Sequence, residues 1–130
     1  MAELLGAAPD PIFTPPWNRC TAVTARCLAE LEFQVLSRDA HAASLGNSGL
    51  CELPIAADWF AHRKKVRLNR NELGRLLAAQ LEREDPVGVM LHHALMDSEE
   101  MQALAQLLSL LARHPNAKCQ TMQSLAATYA

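Results

Sequence analysis

Apolar residues recur along this chain with two periods, and segments of the two kinds alternate. Short, mostly apolar runs are typical of β-strands, and they lie at residues 12–14, 33–37, 51–55 and 87–92. Apolar residues spaced three or four positions apart are typical of amphipathic helices, and they lie at residues 21–31, 69–83 and 98–114. Further elements are predicted at residues 1–6 (the tail of a helix), 118–120 (a short strand) and 122–129 (a closing helix).

This alternation predicts βα units, a mostly parallel sheet and right-handed crossovers. A length of 130 residues suits one domain, and a hydrophobic fraction of 50% is enough to bury a core. We therefore expect an α/β fold in which residues 1–130 form a single small, mostly parallel sheet with flanking helices.

Polar residues mark the ends of the predicted helices. Thr21 precedes the first helix as an N-cap, and Asn69 with Glu72 fits a capping box at the second. The third helix starts with acidic residues (99–100) and ends with basic ones (113–114), which matches the helix dipole. Apolar stripes predict the buried faces: Val23, Cys27, Leu28 and Leu31 on the first helix, Leu73, Leu76, Leu77 and Leu81 on the second, and Met101, Leu104, Leu107, Leu108 and Leu111 on the third.

Two of the predicted strands have distinctive compositions. Pro54 lacks the N–H that a sheet ladder needs, so residues 51–55 are predicted to be a brief strand or one at an edge. Residues 87–92 form a near-continuous apolar run, which is typical of a strand covered on both faces.

Aromatic, acidic and imidazole side chains follow three of the predicted strands. Trp17 follows the first strand, Asp58 and Trp59 follow the third, and His92 with His93 ends the last. The C-terminal ends of parallel strands meet at one edge of a sheet, where α/β proteins place their ligand sites. These side chains are therefore predicted to converge at that edge.

Bulk composition excludes several classes of function. The net charge of −2 does not favour nucleic acid, and the basic stretch at residues 63–70 is predicted to be a solvated loop or strand edge. An acidic N-terminus and the lack of a ~20-residue apolar run predict a non-exported, cytoplasmic chain with no membrane span. The four cysteines lack the spacing of zinc or redox motifs and are predicted to be reduced thiols.

Three segments in order resemble a known family: PIFTPPWNR (residues 11–19), ADW (57–59) and GVMLHH (88–93), with the helix that follows. Together they resemble the C-terminal half of the polysaccharide deacetylases, the NodB-homology carbohydrate esterases. The resemblance implies an irregular β/α barrel, of which this chain would be a partial, or half, barrel. It also implies hydrolysis of N-acetyl groups on sugars with the help of a divalent metal, usually zinc.

The resemblance also implies roles for individual residues. Trp17 would form a wall of the sugar groove, Arg19 would orient an acid, His92 would be the general acid, Met90 would line the acetyl pocket, and Asp58 would tune His92.

Two neighbours of these residues complete the predicted site. Trp59 would pack beside Asp58 at the substrate. His93 would support His92, or would itself be the family histidine if the register slips by one.

The motifs that carry the metal in this family are missing from the sequence. There is no Asp-Asp pair and no His-x-x-x-His helix, so no metal ligands are assigned and no cofactor is expected in this chain. Three functions stay open: an inherited half-domain without activity of its own, an enzyme completed by a separate N-terminal half or by a second copy, and a non-catalytic interaction or scaffold domain. A homo-oligomer and a carbohydrate ligand are the expected partners.

Structural roles compete with each of these site assignments. His92 and His93 could hydrogen-bond within the fold, and Trp17 could be a packing residue. Asp58 could cap a turn, and Arg19 could form a surface ion pair.

Overall fold

The computed structural model describes residues 10–46, 48–83 and 85–129, and the helix predicted at residues 1–6 lies outside them. The strands are β1 (Ile12–Phe13), β2 (Val35–Asp39), β3 (Cys51–Asp58), β4 (His62–Arg63), β5 (Val66–Arg67) and β6 (Gly88–Met90). The helices are α1 (Ala22–Glu30), α2 (Arg70–Leu81), α3 (Ser98–Arg113) and α4 (Met122–Tyr129), with short 3-10 turns at Pro16–Asn18 and His93–Leu95. None of the helices in the described residues is long and apolar enough to cross a membrane.

Four strands form one parallel sheet in the order β1-β2-β3-β6. The α/β fold class predicted from the alternation is confirmed, since a small parallel sheet is flanked by four helices. Strands follow one another across the sheet in chain order, so the C-terminal ends of all four lie at the same edge. A separate two-stranded antiparallel hairpin, β4-β5, forms in the basic stretch after β3.

The longest strand, β3, lies between β2 and β6, so the prediction that Pro54 marks a brief or edge strand is wrong. The reason lies in the direction of the backbone N–H groups. Cys51 donates its N–H to Gln34 on the β2 side, and these groups alternate along a strand, so the nitrogen of Pro54 faces β6. Pairing with β6 begins only at Ile55, opposite Gly88, and the missing N–H therefore costs no ladder bond.

The last strand, β6, is three residues long and lies at the edge of the described sheet. The prediction of a fully covered strand over residues 87–92 is therefore wrong in both length and burial. Val89 and Leu91 are 36% and 39% exposed. A continuous apolar run is compatible with a covered strand but does not require one, because tertiary neighbours decide what covers it.

Gly88 lets β6 approach β3 closely. A Cβ atom at this position would overlap the backbone oxygen of Pro54, and neither backbone can move without breaking the pairing. We expect Gly88→Ala to destabilise the fold by about 1–3 kcal/mol, the usual cost of overpacking. Thermal unfolding measures this, with Gly74→Ala as the control. Gly74 lies in α2 with open space around it, so its replacement should stabilise slightly; equal loss in both variants would contradict the packing argument.

The central strand β2 is covered on both faces. Val35, Leu36, Ser37 and Arg38 are consecutive, and each is at most 5% exposed. Because side chains alternate between the two faces of a strand, the burial of four in succession requires neighbours above and below. The strand was predicted at residues 33–37 and begins two residues later, reaching Asp39.

Two clusters of buried residues pack on β3. Val35 and Leu53 pack with Ala126 of α4, whereas Ala57 packs with Leu73 and Leu77 of α2. The pairing of β3 with β6 shifts register between Ile55 and Ala57, which marks a β-bulge between the two clusters.

The caps predicted for α1 and α2 are confirmed. The Thr21 side chain accepts the N–H of Thr24, and both hydrogen bonds of the Asn69–Glu72 capping box are present. The apolar face predicted for α1 is wrong in part. Ala25 and Leu28 are the buried residues of that helix, while Val23, Cys27 and Leu31 are exposed.

The apolar stripe predicted for α3 is also only partly buried. Leu104, Leu107 and Leu111 are half-buried, but Met101 and Leu108 are 54% and 50% exposed. The one buried residue of this helix is the acidic Glu100. The strand predicted at residues 118–120 does not form, and this segment leads directly into α4.

Candidate functional site

An imidazole and a carboxylate meet at the C-terminal edge of the sheet. Asp58 is the last residue of β3, and it pairs with Met90 at the end of β6, two residues before His92. The His92 Nε2 atom lies 3.2 Å from each carboxylate oxygen of Asp58. Both side chains are about two-fifths exposed, at 42% and 43%, so the pair is open to a ligand.

Local hydrogen bonds hold this pair in place. The Asp58 carboxylate accepts the backbone N–H of Phe60 at 2.8 Å, which closes a turn after β3. The backbone N–H of Trp59 donates to the Met90 carbonyl at 3.0 Å and ties the same turn to β6. The Phe60 ring meets the His92 ring edge-to-face, with centroids 5.8 Å apart, so His92 is bracketed by a carboxylate and an aromatic ring.

This arrangement suits proton transfer. A carboxylate next to one ring nitrogen fixes the orientation of the imidazole. Because Nε2 faces Asp58, Nδ1 of His92 is the nitrogen left to take or give a proton. His93 makes no hydrogen bond or ion pair with Asp58 and is exposed at the start of a 3-10 turn, so His92 is the member of the pair that the fold orients.

Trp17 lies at the same edge but is separated from this pair. It follows β1, and two strand spacings between β1 and β3 amount to about 10 Å. Its side chain is 87% exposed, and its backbone is left-handed (φ 52°), as is that of Asn18 (φ 57°). Such conformations are costly for side-chain-bearing residues, and here they present a large apolar ring to solvent.

The turn that carries Trp17 is anchored to β2 by a residue that the sequence analysis did not single out. The Asn18 side-chain oxygen accepts the backbone N–H of Asp39 at 2.9 Å. Asp39 itself ends β2, and its carboxylate accepts the backbone N–H of His41 at 2.7 Å. Asp39 lies two residues beyond the predicted end of this strand, so the local pattern marked neither Asn18 nor Asp39.

The remaining predicted site residues have different surroundings. Arg19 is exposed, and its side chain makes no ion pair or hydrogen bond with any described residue. Met90 is half-buried, and its carbonyl accepts the backbone N–H of Trp59. Trp59 is only 4% exposed and lies in the core with α2, so its ring is a packing surface in this structure rather than an open ligand surface.

The buried Glu100 is the centre of a charged cluster near the candidate site. One of its oxygens accepts the indole N–H of Trp59 at 2.6 Å and pairs with Arg70 at 2.6 Å, while the other pairs with Arg67 at 2.6 Å. Burial raises the pKa of the Glu100 carboxyl group. The three hydrogen bonds and the positive charge of Arg70 lower it by more, and the pKa falls from 4.5 to about 2.

This cluster extends to the candidate site. The Arg67 guanidinium lies 4.1 Å from the centroid of the Phe60 ring, which in turn contacts His92. The sequence pattern predicts Glu100 only as a helix-dipole residue, because nothing local indicates which carboxylate a tryptophan and two arginines will surround.

The described residues do not fit a divalent metal. No three His, Cys, Asp or Glu side chains in residues 10–46, 48–83 and 85–129 are grouped so that they could hold a metal ion. His92 and Asp58 provide two such groups, and a catalytic zinc site typically uses three protein ligands.

Comparison with known proteins adds no relative. No family model matches the chain, and no curated protein or solved structure is significantly similar to it. The likeness to the polysaccharide deacetylases therefore rests on three short motifs, and the candidate site rests on its geometry.

Proposed function

We propose that this chain is a polysaccharide-deacetylase-like domain that binds an N-acetylated sugar chain at the C-terminal edge of its sheet and carries the proton donor of a deacetylation site. The His92–Asp58 pair is the observation that carries this proposal, because it supplies an oriented, solvent-open imidazole at the edge where α/β folds place ligands. The domain is proposed to lack hydrolytic activity on its own.

Each residue of the edge has a part in this proposal. Trp17 offers an exposed ring on which a sugar can stack. His92 gives a proton to the amine nitrogen as the amide C–N bond breaks, and Asp58 orients the His92 ring for that transfer. Attack of water on the acetyl carbon needs a group that activates the water, and the described residues are not grouped so that they could hold a metal ion for this purpose. This step is therefore assigned to a second copy or to another chain.

Binding can be tested through Trp17, since the other tryptophan is buried. Titration with N,N′,N″-triacetylchitotriose is expected to shift the fluorescence emission of Trp17 to shorter wavelength, and Trp17→Ala should abolish the response. An oligosaccharide is used because Trp17 and His92 lie more than one strand apart. His92→Ala should weaken binding about fivefold, the value of one ordinary hydrogen bond.

A matched histidine serves as the control for this titration. His114 follows α3, at the end of the helix opposite Glu100, and His114→Ala should bind like the unchanged chain. An unchanged emission spectrum at millimolar trisaccharide would contradict sugar binding. Acetate release with added zinc that exceeds that of His92→Ala would contradict the statement that the chain alone is inactive.

A second candidate function, an interaction domain without sugar chemistry, is favoured by the exposed apolar side chains of α3. Met101, Leu108 and Leu110 are at least half exposed on this helix. Exposed apolar surface favours association with a second copy of the chain or another protein. A stable dimer by light scattering at micromolar concentration, together with no response to the trisaccharide, would select this candidate over the first.

A further inference from the structure

The connection from β2 to β3 departs from the usual form of a parallel crossover. Parallel neighbours are normally joined by a helix that covers the sheet. Here residues 40–50 make the connection, and no helix lies within the described part of it. The sheet beside this connection is left with open volume instead of a packed helix.

Two adjoining cavities occupy this volume. One is about 310 Å³ and the other about 340 Å³, and both are lined by Ala40, Glu52, Leu53 and Pro54. Their combined size lies within the range of pockets that hold small molecules, and most of the shared lining is apolar. Both lie on the sheet, and neither is lined by Asp58 or His92, so they are distinct from the candidate site at its C-terminal edge.

A buried arginine has unused hydrogen-bonding capacity at the smaller cavity. Arg38 lines it and is 5% exposed. Its Nε and Nη2 atoms donate to Glu52 at 3.2 and 2.7 Å, and Nη2 also donates to the Ala43 carbonyl at 2.7 Å. Nη1 donates to no described residue, yet no described side-chain nitrogen or oxygen is both fully buried and unpartnered. Nη1 therefore keeps some accessible surface, and Arg38 lines the smaller cavity.

The partner of Arg38 has capacity left as well. Both hydrogen bonds from Arg38 go to the Oε2 atom of Glu52. The other oxygen, Oε1, accepts only a long 3.4 Å contact from the backbone N–H of Leu45. A charged donor (Arg38) and a charged acceptor (Glu52), whose charges neutralise each other, thus both line the smaller cavity.

The charges around the cavities exclude a simple anion site. Three carboxylates, of Asp39, Glu52 and Asp85, line them against two guanidinium groups, of Arg38 and Arg83. An anion would face an excess of negative charge, and a cation would face the open Nη1 of Arg38. A neutral ligand that offers both an acceptor and a donor satisfies both open groups.

We propose that these cavities bind a neutral small molecule that carries a planar amide group on an apolar body. The amide oxygen accepts from Nη1 of Arg38, the amide N–H donates to Oε1 of Glu52, and the apolar body lies along Ala40 and Pro54. This inference does not rest on the sugar-binding proposal, since none of Trp17, Asp58 and His92 lines the cavities.

Three probes of the same shape and different charge test the inference: benzamide, benzoate and benzamidinium. Binding is followed by chemical-shift changes of the backbone amides of Ala42 and Leu53 in the full chain. Benzamide is expected to bind at least tenfold more tightly than either charged probe. Equal or tighter binding of benzoate or benzamidinium, or no saturable change with benzamide, would overturn the proposal.

A cavity-filling variant locates the binding without disturbing the buried ion pair. Ala42 lines the smaller cavity from the loop, and Ala42→Met should fill it and weaken benzamide binding at least tenfold. Ala112→Met, at an exposed position of α3, is the matched control and should leave binding unchanged. Thermal unfolding checks that both variants are folded. Unchanged affinity in a folded Ala42→Met variant would place the ligand elsewhere and reject the assignment.

Discussion

Replacement of Glu100 by alanine is expected to lower the midpoint of thermal unfolding by roughly 10 °C. The carboxylate is 7% exposed and is the acceptor for the indole N–H of Trp59, itself 4% exposed. Its removal leaves a buried N–H without a partner and separates Arg67 and Arg70 from their common counter-ion. A buried donor left unpaired costs about 1–3 kcal/mol, and for a chain of this size about 2–3 kcal/mol corresponds to the expected shift.

Differential scanning calorimetry measures this effect, with Glu99→Ala as the matched control. Glu99 has the same chemistry and lies one position earlier in the first turn of α3, but it is exposed. Its replacement should cost no more than about 1 kcal/mol, the value of a helix-dipole interaction. Glu100→Gln keeps an acceptor for Trp59 and should fall between the two. Equal destabilisation at residues 99 and 100 would mean that the buried cluster contributes nothing of its own.

Stability is expected to decrease steeply in acid because of the same carboxylate. The pKa of Glu100 is about 2 in the folded chain, lowered from an ordinary value of 4.5. Between these values the unfolded chain binds a proton that the folded chain does not, so the contribution of Glu100 is complete above about pH 4.5. It is lost as the pH falls from there through 2.

Urea unfolding at a series of pH values between 2 and 6 measures this dependence. In Glu100→Gln the difference in bound protons between the unfolded and folded states should be smaller by up to about one between pH 4.5 and 2. The Arg67 and Arg70 side chains are 39% and 45% exposed, so added salt should reduce the effect moderately. Parallel pH profiles for the two chains would show that another carboxylate is responsible for the acid sensitivity.

The Glu100 cluster and the candidate site are joined by one aromatic ring. The Arg67 guanidinium lies over the Phe60 ring, and the Phe60 and His92 rings contact each other edge-to-face. The turn that contains Phe60 also holds the Asp58 carboxylate. The Glu100 cluster therefore supports the geometry of the Asp58–His92 pair, and the proposed site depends on the same turn.

Local signals in the sequence predicted the four strands of the parallel sheet and the helices α1 to α4, but not the β4-β5 hairpin. A threonine or asparagine at an N-cap acts within three residues, so the starts of α1 and α2 could be predicted from Thr21 and Asn69 alone. The alternation of strands and helices was enough for a parallel sheet, because few connections join such elements. The meeting of Asp58 with His92, 34 residues apart, follows from the same rule, since the ends of neighbouring parallel strands share an edge.

Those local signals could not predict contacts between distant segments. The interior position of β3 depends on where β6 begins to pair, which the sequence around Pro54 does not contain. The burial of Trp59 depends on the position of α3, whose Glu100 accepts the indole N–H. The exposure of Met101 and Leu108 also depends on distant segments. An apolar stripe indicates which face of a helix can be buried, but not whether another element covers that face.

The sequence by itself thus determined the strands of the parallel sheet and the helices between them, two helix caps, and the sheet edge at which an acid and a histidine meet, because these follow from interactions within a few residues and from chain connectivity. Only the tertiary structure decided which side chains are buried, that Glu100 becomes the centre of a charged cluster, and that Arg38 and Glu52 border an open cavity. These outcomes depend on packing between segments up to 41 residues apart, as for Trp59 and Glu100, and no local pattern specifies them.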